Sequence, residues 1–463
     1  MSPFSIPALV LLVASVAAYW VIPSITWRKV LLIAASYIFC GFVHPWFGAV
    51  LAFATLIVVG GVRLLQREPK RRKLFLGLGI AALLLPLILF KYSGFIATAI
   101  GQTTSLLFGG SLSAATLSFL LPIGISFYTL QGIGLLVDAY RDPKSARFAP
   151  LSIVSFMAFF PRLAAGPIER GHRLIPQIEA RAGWQTSHLS HGSFLILAGL
   201  LKKLVVADNL AILVDRIFML QHPNALLLLL GSVGFTLQIL ADFSGYTDMA
   251  RGAARLFGID LVKNFRSPYL AVSPSDFWRR WHISLSTWIR DYVYIPLGGS
   301  RVSSKLRFLL VMLATMGLSG LWHGAGWTFI LWGLYHGLLL YGYHLIGRGG
   351  RWRPKGRPQT AVAWLLMAGF TVFGWFLFRA PSVSWISESL TNLTGGFAGD
   401  ELLAAAGYAV RMAFFGLPLL GLPLLRRFFR NSLIMKAAYA AVAIVLIVLF
   451  AHGAGQDFIY FRF

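Results

Sequence analysis

Two histidines are set among aromatic residues and glycines, beside long apolar runs, where an imidazole could carry out acid–base chemistry. His282 lies in the segment PSDFWRRWHISLSTWIRDYVYIPLGGSR, and His323 ends the segment LRFLLVMLATMGLSGLWH. An ionisable side chain at membrane depth is costly to retain, so we interpret both as candidate functional residues. A neutral histidine can accept the proton that a hydroxyl loses when it attacks a carbonyl carbon.

Acyl transfer to a hydroxyl would use such a base, together with a donor such as a backbone N–H, an Asn or a Trp for the developing negative charge. His323 follows an apolar run of roughly 15 residues, about 22 Å long as a helix, so we expect it well inside the membrane. Burial there keeps the imidazole neutral, and the following glycines allow a backbone or substrate to approach closely. A lone histidine in an apolar helix is more often a packed core residue, and residue type alone leaves that alternative open. For His336, cavity lining and core packing are both open.

Several other kinds of site do not fit the spacing of these residues. Acyltransferases that act on glycerol phosphate place an Asp four residues after the His, whereas Ser286 follows His282 at that distance and Asp291 is nine residues away. The Gly-x-Ser-x-Gly turn of a nucleophilic serine is missing from the sequence. The single cysteine, Cys40, excludes disulfides within the chain and a multi-cysteine metal site. We therefore expect no metal and no tightly bound cofactor.

The composition is that of a polytopic membrane protein. The chain has 463 residues, of which 57% are hydrophobic and 12% are charged, with a mean hydropathy of +0.73. A soluble domain has about 25% charged residues, and no polar stretch here is long enough to form one. We predict a single membrane-embedded domain over residues 1–463, with N-terminal helices in 1–147, a core carrying both histidines in 148–346 and C-terminal helices in 347–463.

The net charge of +25 could indicate a nucleic-acid partner. However, the basic residues lie in short loops between apolar runs, which is the positive-inside pattern, and no nucleic-acid-binding module is present. We predict contact with membrane lipid and no nucleic acid. A smaller part of the charge could hold an anionic donor.

The apolar runs predict about eleven or twelve membrane segments with both chain ends outside. No cleavable signal is evident, because the first basic pair, Arg28 and Lys29, follows the first apolar run. The predicted spans are residues 5–22, 30–42, 46–60, 74–95, 116–137, 225–243, 307–321, 327–345, 361–378, 404–425 and 437–450, with 188–220 as a further long helix.

Three regions depart from simple spans. Residues 151–177 are interrupted by prolines and a glycine, so this segment must be buried in protein or line a cavity, as a short or re-entrant element. Lys202 and Lys203 lie in the middle of the helix over 188–220, which either lies in the interface or turns these lysines to a wet interior. Residues 251–307 are basic, rich in Trp and interrupted by prolines, which favours short interfacial helices.

Five motifs carry a resemblance to a known family. They are residues 165–170 (AGPIER), 242–248 (DFSGYTD), 276–301, 322–324 (WHG) and 458–461 (FIYF). In this order and over most of the chain, they resemble the membrane-bound O-acyltransferase family. The likeness is greatest to its bacterial branch, which includes the membrane subunit of alginate O-acetylation and the protein that passes D-alanine to teichoic acid. The resemblance implies an all-α membrane fold with short interfacial and re-entrant helices around a central tunnel.

The resemblance also implies roles for individual residues. His323 matches the family's catalytic histidine, expected to be the base, and His282 matches the second functional histidine of the bacterial branch. An arginine fork fits a phosphate group, so the basic, aromatic region could hold coenzyme A or a carrier's phosphopantetheine, although ordinary interfacial anchoring is the alternative for each arginine. The candidate tunnel or donor-binding residues are Trp322, Arg279, Arg280, Asn264, Tyr269 and Arg290.

The first-choice function is an integral-membrane O-acyltransferase of the bacterial cell membrane. It would move an acyl group, with acetyl as first choice, from a cytoplasmic thioester (acetyl-CoA or an acyl carrier protein) to an extracytoplasmic hydroxyl of a surface polysaccharide. The chain contains no SGNH-type esterase-like domain, so the resemblance implies an extracytoplasmic partner of that type. The alternatives are D-alanyl transfer to teichoic acid, a proton-linked transporter or channel, and a scaffold for a polysaccharide machine.

Overall fold

The computed structural model describes residues 5–108, 120–144, 146–181, 183–302, 304–346, 350, 352–391, 393, 399–429 and 433–451. All regular elements in these residues are helices, which confirms the predicted all-α class. The predicted motif at 458–461 lies outside the described residues.

Twenty α-helices follow one another along the described chain. They are α1 (Ile6–Val21), α2 (Ile25–Val43), α3 (Phe47–Arg67), α4 (Arg72–Leu87), α5 (Ser93–Phe108), α6 (Ile125–Arg141), α7 (Pro150–Met157), α8 (Phe160–Leu163), α9 (Gly171–Glu179), α10 (Thr186–Leu200), α11 (Asp208–Phe218), α12 (Ala225–Leu256), α13 (Pro274–Arg280), α14 (Ile283–Ile289), α15 (Lys305–His323), α16 (Trp327–Ile346), α17 (Gly356–Arg379), α18 (Val383–Thr391), α19 (Gly399–Phe429) and α20 (Leu433–Phe450). Short π-helical segments at Ile88–Tyr92, Leu201–Ala207 and Arg290–Tyr294 join neighbouring helices.

Seven helical segments of the described chain are long and apolar enough to cross a membrane, and three shorter apolar helices accompany them. The chain is therefore a multi-pass membrane protein. The long segments are Ile25–Val43, Phe47–Arg67, Pro69–Ser105, Ala225–Leu256, Lys305–His323, Trp327–Ile346 and Gly356–Arg379, and the shorter helices are Ile6–Val21, Leu402–Gly416 and Ile434–Phe450.

The predicted start of the second helix was wrong. The second helix begins at Ile25 rather than at residue 30, so it includes Arg28 and Lys29, which are buried. Their charges have local partners, because Arg28 donates to the carbonyl of Ile22 and Lys29 donates to the Ser152 hydroxyl. The basic pair that looked like a flanking loop is therefore part of the helix.

The described residues group into two compact units, Met1–Ser193 with Ala250–Val262, and Phe194–Met249 with Lys263–Phe463. In the first unit, the predicted broken segment forms α7, α8 and α9 and is largely buried. Inside it, Arg162 donates to the carbonyls of Phe156 and Met157. Glu169 accepts hydrogen bonds from Arg173 and from the Val262 backbone N–H. These bonds give partners to carbonyls of the irregular backbone and to the Glu169 carboxylate, as expected for a broken segment buried in protein.

In the second unit, α15 and α16 form a hairpin whose backbones touch through glycines. A Cβ atom at Gly320 would lie 2.1 Å from the Phe329 carbonyl oxygen, and one at Gly333 would lie 2.2 Å from the Met316 carbonyl oxygen. Small residues allow such close approach between membrane helices. The hairpin thereby fixes the C-terminal end of α15, where His323 is the last helical residue.

The second unit also contains a buried set of opposite charges, which we call the lysine–aspartate network (Lys202, Lys203, Asp208, Asp242 and Asp248). Nζ of Lys203 lies 2.8 Å from the Asp208 carboxylate and 2.9 Å from that of Asp242, and Nζ of Lys202 lies 2.6 Å from the Asp248 carboxylate. Both lysines are on the π-helical segment Leu201–Ala207, and both are buried. Of the two alternatives in the sequence, the structure thus has the lysines facing the protein interior, where each meets a carboxylate.

Candidate functional site

The two predicted histidines lie side by side in the second unit. The ring centroids of His282 and His323 are 6.3 Å apart, and the two residues are 0% and 1% exposed. Position 282 immediately precedes α14 and position 323 ends α15, so two separate helix ends bring the imidazoles together. Two imidazoles this close could both contact one reacting group.

Aromatic rings enclose this pair. Phe243 of α12 packs edge-on against His282 at 4.6 Å, and Trp322 lies 5.7 Å from the same ring. Trp332 of α16 and Phe378 of α17 pack on His323 at 5.1 and 5.5 Å. Such a wall excludes water, which strengthens hydrogen bonds and electrostatic interactions formed inside it.

A third histidine, His336, joins the same aromatic cluster through Trp332 and Trp278, at 4.8 and 5.2 Å. Its side chain is 2% exposed. It stacks on Phe277 rather than on either of the other imidazoles. The three residues His282, His323 and His336 are called the histidine cluster below.

Burial determines the protonation state of His282, which lies outside the long apolar segments. Loss of hydration disfavours the positive imidazolium and lowers the pKa of His282 from 6.5 to about 3. The ring is therefore neutral at physiological pH and presents one N–H donor and one acceptor nitrogen. With so low a pKa it is a weak proton acceptor, so hydrogen bonding suits it better than general base catalysis.

A cavity of about 340 Å³ lies between the α13–α14 region and α15. Its wall includes Ser286 and Ser319, which are four residues from His282 and His323 respectively and one helical turn away from each. Neither imidazole is itself part of this wall. The cavity therefore leads to the neighbourhood of the histidine pair, with one turn of helix between its wall and each ring.

The cavity wall offers polar atoms that the protein does not use. The hydroxyl oxygens of Thr315 and Ser319 and the indole nitrogen of Trp278 are buried and have no hydrogen-bond partner among the described residues. Buried polar groups normally have hydrogen-bond partners, so these three atoms could bond to a ligand that enters the cavity. Sequence reasoning missed all three. For the two hydroxyls, a signal was available in the sequence. Thr315, Ser319 and His323 follow one another at intervals of four residues along an apolar helix.

The predicted arginines divide into two groups. Arg279 and Arg290 border the cavity. Arg279 lies 3.3 Å from the Asp276 carboxylate, and Arg290 lies 2.8 Å from that of Asp291. Arg280 bonds to Asp276 at 3.0 Å and is not in this cavity wall.

The acidic partner of Arg279 and Arg280 remains charged. Partial burial alone would raise the pKa of Asp276, but the hydrogen bond and charge of Arg280, followed by the bond from Arg279, lower it. The arginine head groups at the cavity mouth are thus held by a carboxylate that stays ionised at physiological pH. Orientation by an ionised partner keeps an arginine fork ready for a phosphate.

The remaining predicted residues lie elsewhere in the second unit. Trp322 packs against both members of the histidine pair. Tyr269 stacks on Trp281 and donates its hydroxyl to the carbonyl of Thr236. Asn264 is 0% exposed and bonds to the backbone after His282. None of these three belongs to the wall of the 340 Å³ cavity.

Comparison with known proteins gives this site its context. Residues 106–383 match the family described as MBOAT, membrane-bound O-acyltransferase family, and this stretch contains every histidine and arginine of the candidate site. Among the described residues, no group of three or more His, Cys, Asp or Glu side chains is placed so that it could hold a metal ion.

Three relatives illustrate the range within this family. A protein of Pseudomonas aeruginosa named "Probable alginate O-acetylase" is 36% identical over 441 residues, which cover 90% of this chain and 80% of the relative. A "Peptidoglycan O-acetyltransferase" of Helicobacter pylori is 34% identical, covering 71% of this chain and 66% of the relative. A "Teichoic acid D-alanyltransferase" of Bacillus subtilis is 31% identical, covering 55% and 68%. With the family match over more than half of its length, the chain belongs to the membrane-bound O-acyltransferase family and is a multi-pass membrane O-acyltransferase.

Proposed function

We propose that this enzyme transfers an acetyl group from a cytoplasmic thioester to a hydroxyl on the other side of the membrane, for O-acetylation of a cell-surface polysaccharide. The observation that carries the proposal is the buried pair of imidazoles, 6.3 Å apart, beside a cavity with arginines at its border. The naming of relatives as an alginate O-acetylase and a peptidoglycan O-acetyltransferase supports acetyl as the group and a glycan as the acceptor.

In the proposed reaction, the acceptor hydroxyl oxygen attacks the thioester carbonyl carbon while its proton passes to His323. The C–S bond then breaks, the ester forms, and His323 returns the proton to the departing thiolate. His282, held neutral by burial, donates its one N–H towards the carbonyl oxygen as negative charge develops there. The two histidines would therefore have different roles, one as base and one as hydrogen-bond donor.

The cavity suits the arm of a thioester donor. Arg279 and Arg290 at its border could hold phosphates. The hydroxyls of Thr315 and Ser319, which have no hydrogen-bond partner among the described residues, could bond to polar groups along the arm. Coenzyme A and a carrier protein's phosphopantetheine share this chemistry. An extracytoplasmic SGNH-type partner would complete the transfer of the acyl group to the polysaccharide.

The test uses the full chain in sealed lipid vesicles, with acetyl-CoA added on one side and a polysaccharide with free hydroxyls on the other. Release of free coenzyme A and formation of an acetyl ester, by mass spectrometry, should both depend on His323, and His323→Ala should lower kcat by about 10²–10⁴-fold, the usual contribution of a general base. His188→Ala is the matched control, because His188 is also a buried histidine stacked among tryptophans but lies in the first unit. Full activity in His323→Ala would refute the assignment of the base.

The D-alanyl alternative has its own support in the Bacillus subtilis relative. It is distinguished in the same vesicles by replacing acetyl-CoA with a D-alanyl thioester on a carrier protein. If the enzyme consumes only the D-alanyl donor, the group that it transfers is D-alanyl and not acetyl. Adding the SGNH-type partner should raise the rate of ester formation on polysaccharide without changing the dependence on His323.

A further inference from the structure

The backbone at His282 has a conformation that side-chain-bearing residues rarely adopt. His282 has φ 40° and ψ 54°, in the left-handed region, and among the described residues only Ser267 is a further non-glycine with positive φ. For an L-residue this conformation is strained, because the Cβ atom comes too close to the following carbonyl oxygen. It persists only when surrounding contacts over-determine it, so the structure must contain groups that hold this turn.

Asn264 supplies those contacts. Its backbone carbonyl accepts a hydrogen bond from the Ile283 N–H at 3.0 Å, and its side-chain Oδ1 accepts one from the Ser284 N–H at 3.2 Å. Its Nδ2 donates to the Thr247 hydroxyl at 3.4 Å, which connects the turn to α12. The side chain of Asn264 is therefore fully enclosed, and its acceptor oxygen is used by the backbone next to His282.

The bonds from Asn264 replace a cap that His282 does not provide. The first N–H groups of a helix have no partner within it, and the residue before the helix usually accepts them with its own side chain. His282 occupies that position before α14 but makes no such capping bond. Because Asn264 accepts these N–H groups instead, the imidazole is not used for capping and packs between Phe243 and the ring of His323.

The same segment is tied to the chain around His282 at a second point. The Arg266 N–H donates to the carbonyl of Arg280 at 3.0 Å. Residues 264–266 therefore run beside residues 280–284, with Asn264 opposite the left-handed turn. Phe243 and Thr247 lie one helical turn apart on α12. Phe243 packs on the His282 imidazole, and the Thr247 hydroxyl accepts the hydrogen bond from Asn264.

We infer that Asn264 is a positioning residue, which holds the left-handed turn at His282 and thereby sets the imidazole against His323. The sequence suggested it as a tunnel or donor-binding residue. Its 0% exposure and the hydrogen bonds of its side chain fit positioning better than contact with a substrate. The inference rests on the proposed role of His282 in acyl transfer.

The decisive experiment compares two substitutions at Asn264 in the acetyl-CoA assay. Asn264→Leu has a similar volume but no acceptor for the Ser284 N–H, so the turn should relax and kcat should fall by about 100-fold, as for misplaced catalytic groups. Asn264→Asp keeps the acceptor oxygen and should retain kcat within about fivefold, because an oxygen in the same place still accepts that bond. KM for acetyl-CoA should stay unchanged in both, since the donor does not touch this residue.

This pair of variants separates positioning from the alternatives. If Asn264 instead donated a hydrogen bond to the substrate through its amide, Asn264→Asp would lose as much activity as Asn264→Leu, and the inference would fail. Asn209→Leu is the matched control, because Asn209 is also a buried amide, and it bonds to the backbone carbonyls of Leu204 and Val205. An equal loss of kcat in Asn209→Leu would show a general effect of removing a buried amide.

His282→Ala in the same assay distinguishes failure of this inference from failure of the proposed function. If His282→Ala is active, the role of His282 in transfer is wrong and the positioning inference falls with it. If His282→Ala is inactive while Asn264→Leu keeps full activity, only the positioning inference is refuted. Each variant is checked for folding by its apparent melting temperature in detergent, so that a variant that does not fold is replaced by the milder Asn264→Thr.

Discussion

Two sets of buried ionisable side chains in the second unit differ in what surrounds them. In the lysine–aspartate network, each lysine meets a carboxylate within 3 Å. In the histidine cluster, the imidazoles pack among Phe and Trp rings, and those of His282 and His323 also contact each other. Buried opposite charges that pair closely are typical of structural sites, whereas a buried neutral imidazole in an aromatic wall stays available for chemistry. The difference predicts that the network mainly maintains stability and the cluster mainly activity.

The largest effect should come from breaking the network at Lys203. Lys203→Met leaves the carboxylates of Asp208 and Asp242 without that ammonium group and should destabilise the protein by about 3–5 kcal/mol. The double variant Lys203→Met with Asp242→Asn should regain part of the loss, because one uncompensated charge is then removed. Apparent melting temperatures in detergent measure both. If Lys203→Met alone is as stable as the natural chain, the lysine–aspartate network is not needed for stability, and the contrast with the histidine cluster is wrong.

The network also shows how far the sequence could be interpreted. Two adjacent lysines inside an apolar helix left both an interfacial helix and an interior position open. The carboxylates that decide between these two positions belong to Asp208 of α11 and to Asp242 and Asp248 of α12. Their pairing with the lysines depends on tertiary packing. By contrast, the all-helical class follows directly from the length and apolarity of the segments.

The catalytic histidine candidates could be predicted from the sequence, but the hydrogen bonds that hold them in place could not. Both histidines were found from their aromatic and glycine-rich surroundings and from the family motifs, and they do lie together. The cap that Asn264 provides to α14 could not be found, because it joins positions 20 residues apart through a turn with positive φ. Positive φ is uncommon for any residue other than glycine, so the local sequence does not indicate this turn.

A second prediction concerns the packing that holds the histidine end of α15. Gly333→Ala places a Cβ atom 2.2 Å from the Met316 carbonyl oxygen, so the hairpin must separate, at a cost of about 1–3 kcal/mol as for overpacked cores. Trp332 would move with the helix, and kcat should fall together with stability. Gly342→Ala is the matched control on α16, because a Cβ atom there would meet nothing within 4 Å. Equal effects at the two glycines would contradict the close approach of α15 and α16.

A third prediction concerns how the stability of the folded chain depends on pH through His282. The folded chain holds His282 neutral, with a pKa lowered by burial to about 3, whereas the unfolded chain takes up a proton near pH 6.5. The stability associated with the neutral ring is therefore complete above pH 6.5 and is lost progressively as the pH falls towards 3. At pH 5 the folded chain should have lost roughly 2 kcal/mol of stability through this group.

The measurement is the apparent melting temperature at pH 7.5 and pH 5, in the natural chain and in His282→Gln. The fall between the two pH values should be smaller in His282→Gln, which has no proton to gain at that position. Both chains retain His323, so its contribution is common to them. His191→Gln, at an exposed histidine of α10, serves as the control and should leave the fall as it is in the natural chain. An unchanged fall in His282→Gln would mean that His282 is not held neutral by the fold.

The smallest effect is expected at the arginines of the cavity border, which combine features of both sets. Arg279 and Arg290 each lie beside a carboxylate, as the lysines do, but about half of each side chain is exposed and both border the cavity. Exposed pairs contribute little to stability, so Arg279→Gln with Arg290→Gln should not change the melting temperature. If these arginines hold the phosphates of coenzyme A, KM for acetyl-CoA should rise about tenfold, the loss of roughly 1.4 kcal/mol of binding, at nearly constant kcat.

A shortened donor makes this last test specific. Acetyl-pantetheine carries the thioester and the arm but no phosphate, so the double variant and the natural chain should use it with the same KM. Arg307→Gln, at an exposed arginine near the start of α15 that does not border the cavity, controls for a general loss of positive charge. If KM for acetyl-pantetheine rises as much as KM for acetyl-CoA, the arginines act on the shape of the cavity rather than on a phosphate. In that case they would belong with the lysines, as paired charges whose role is structural.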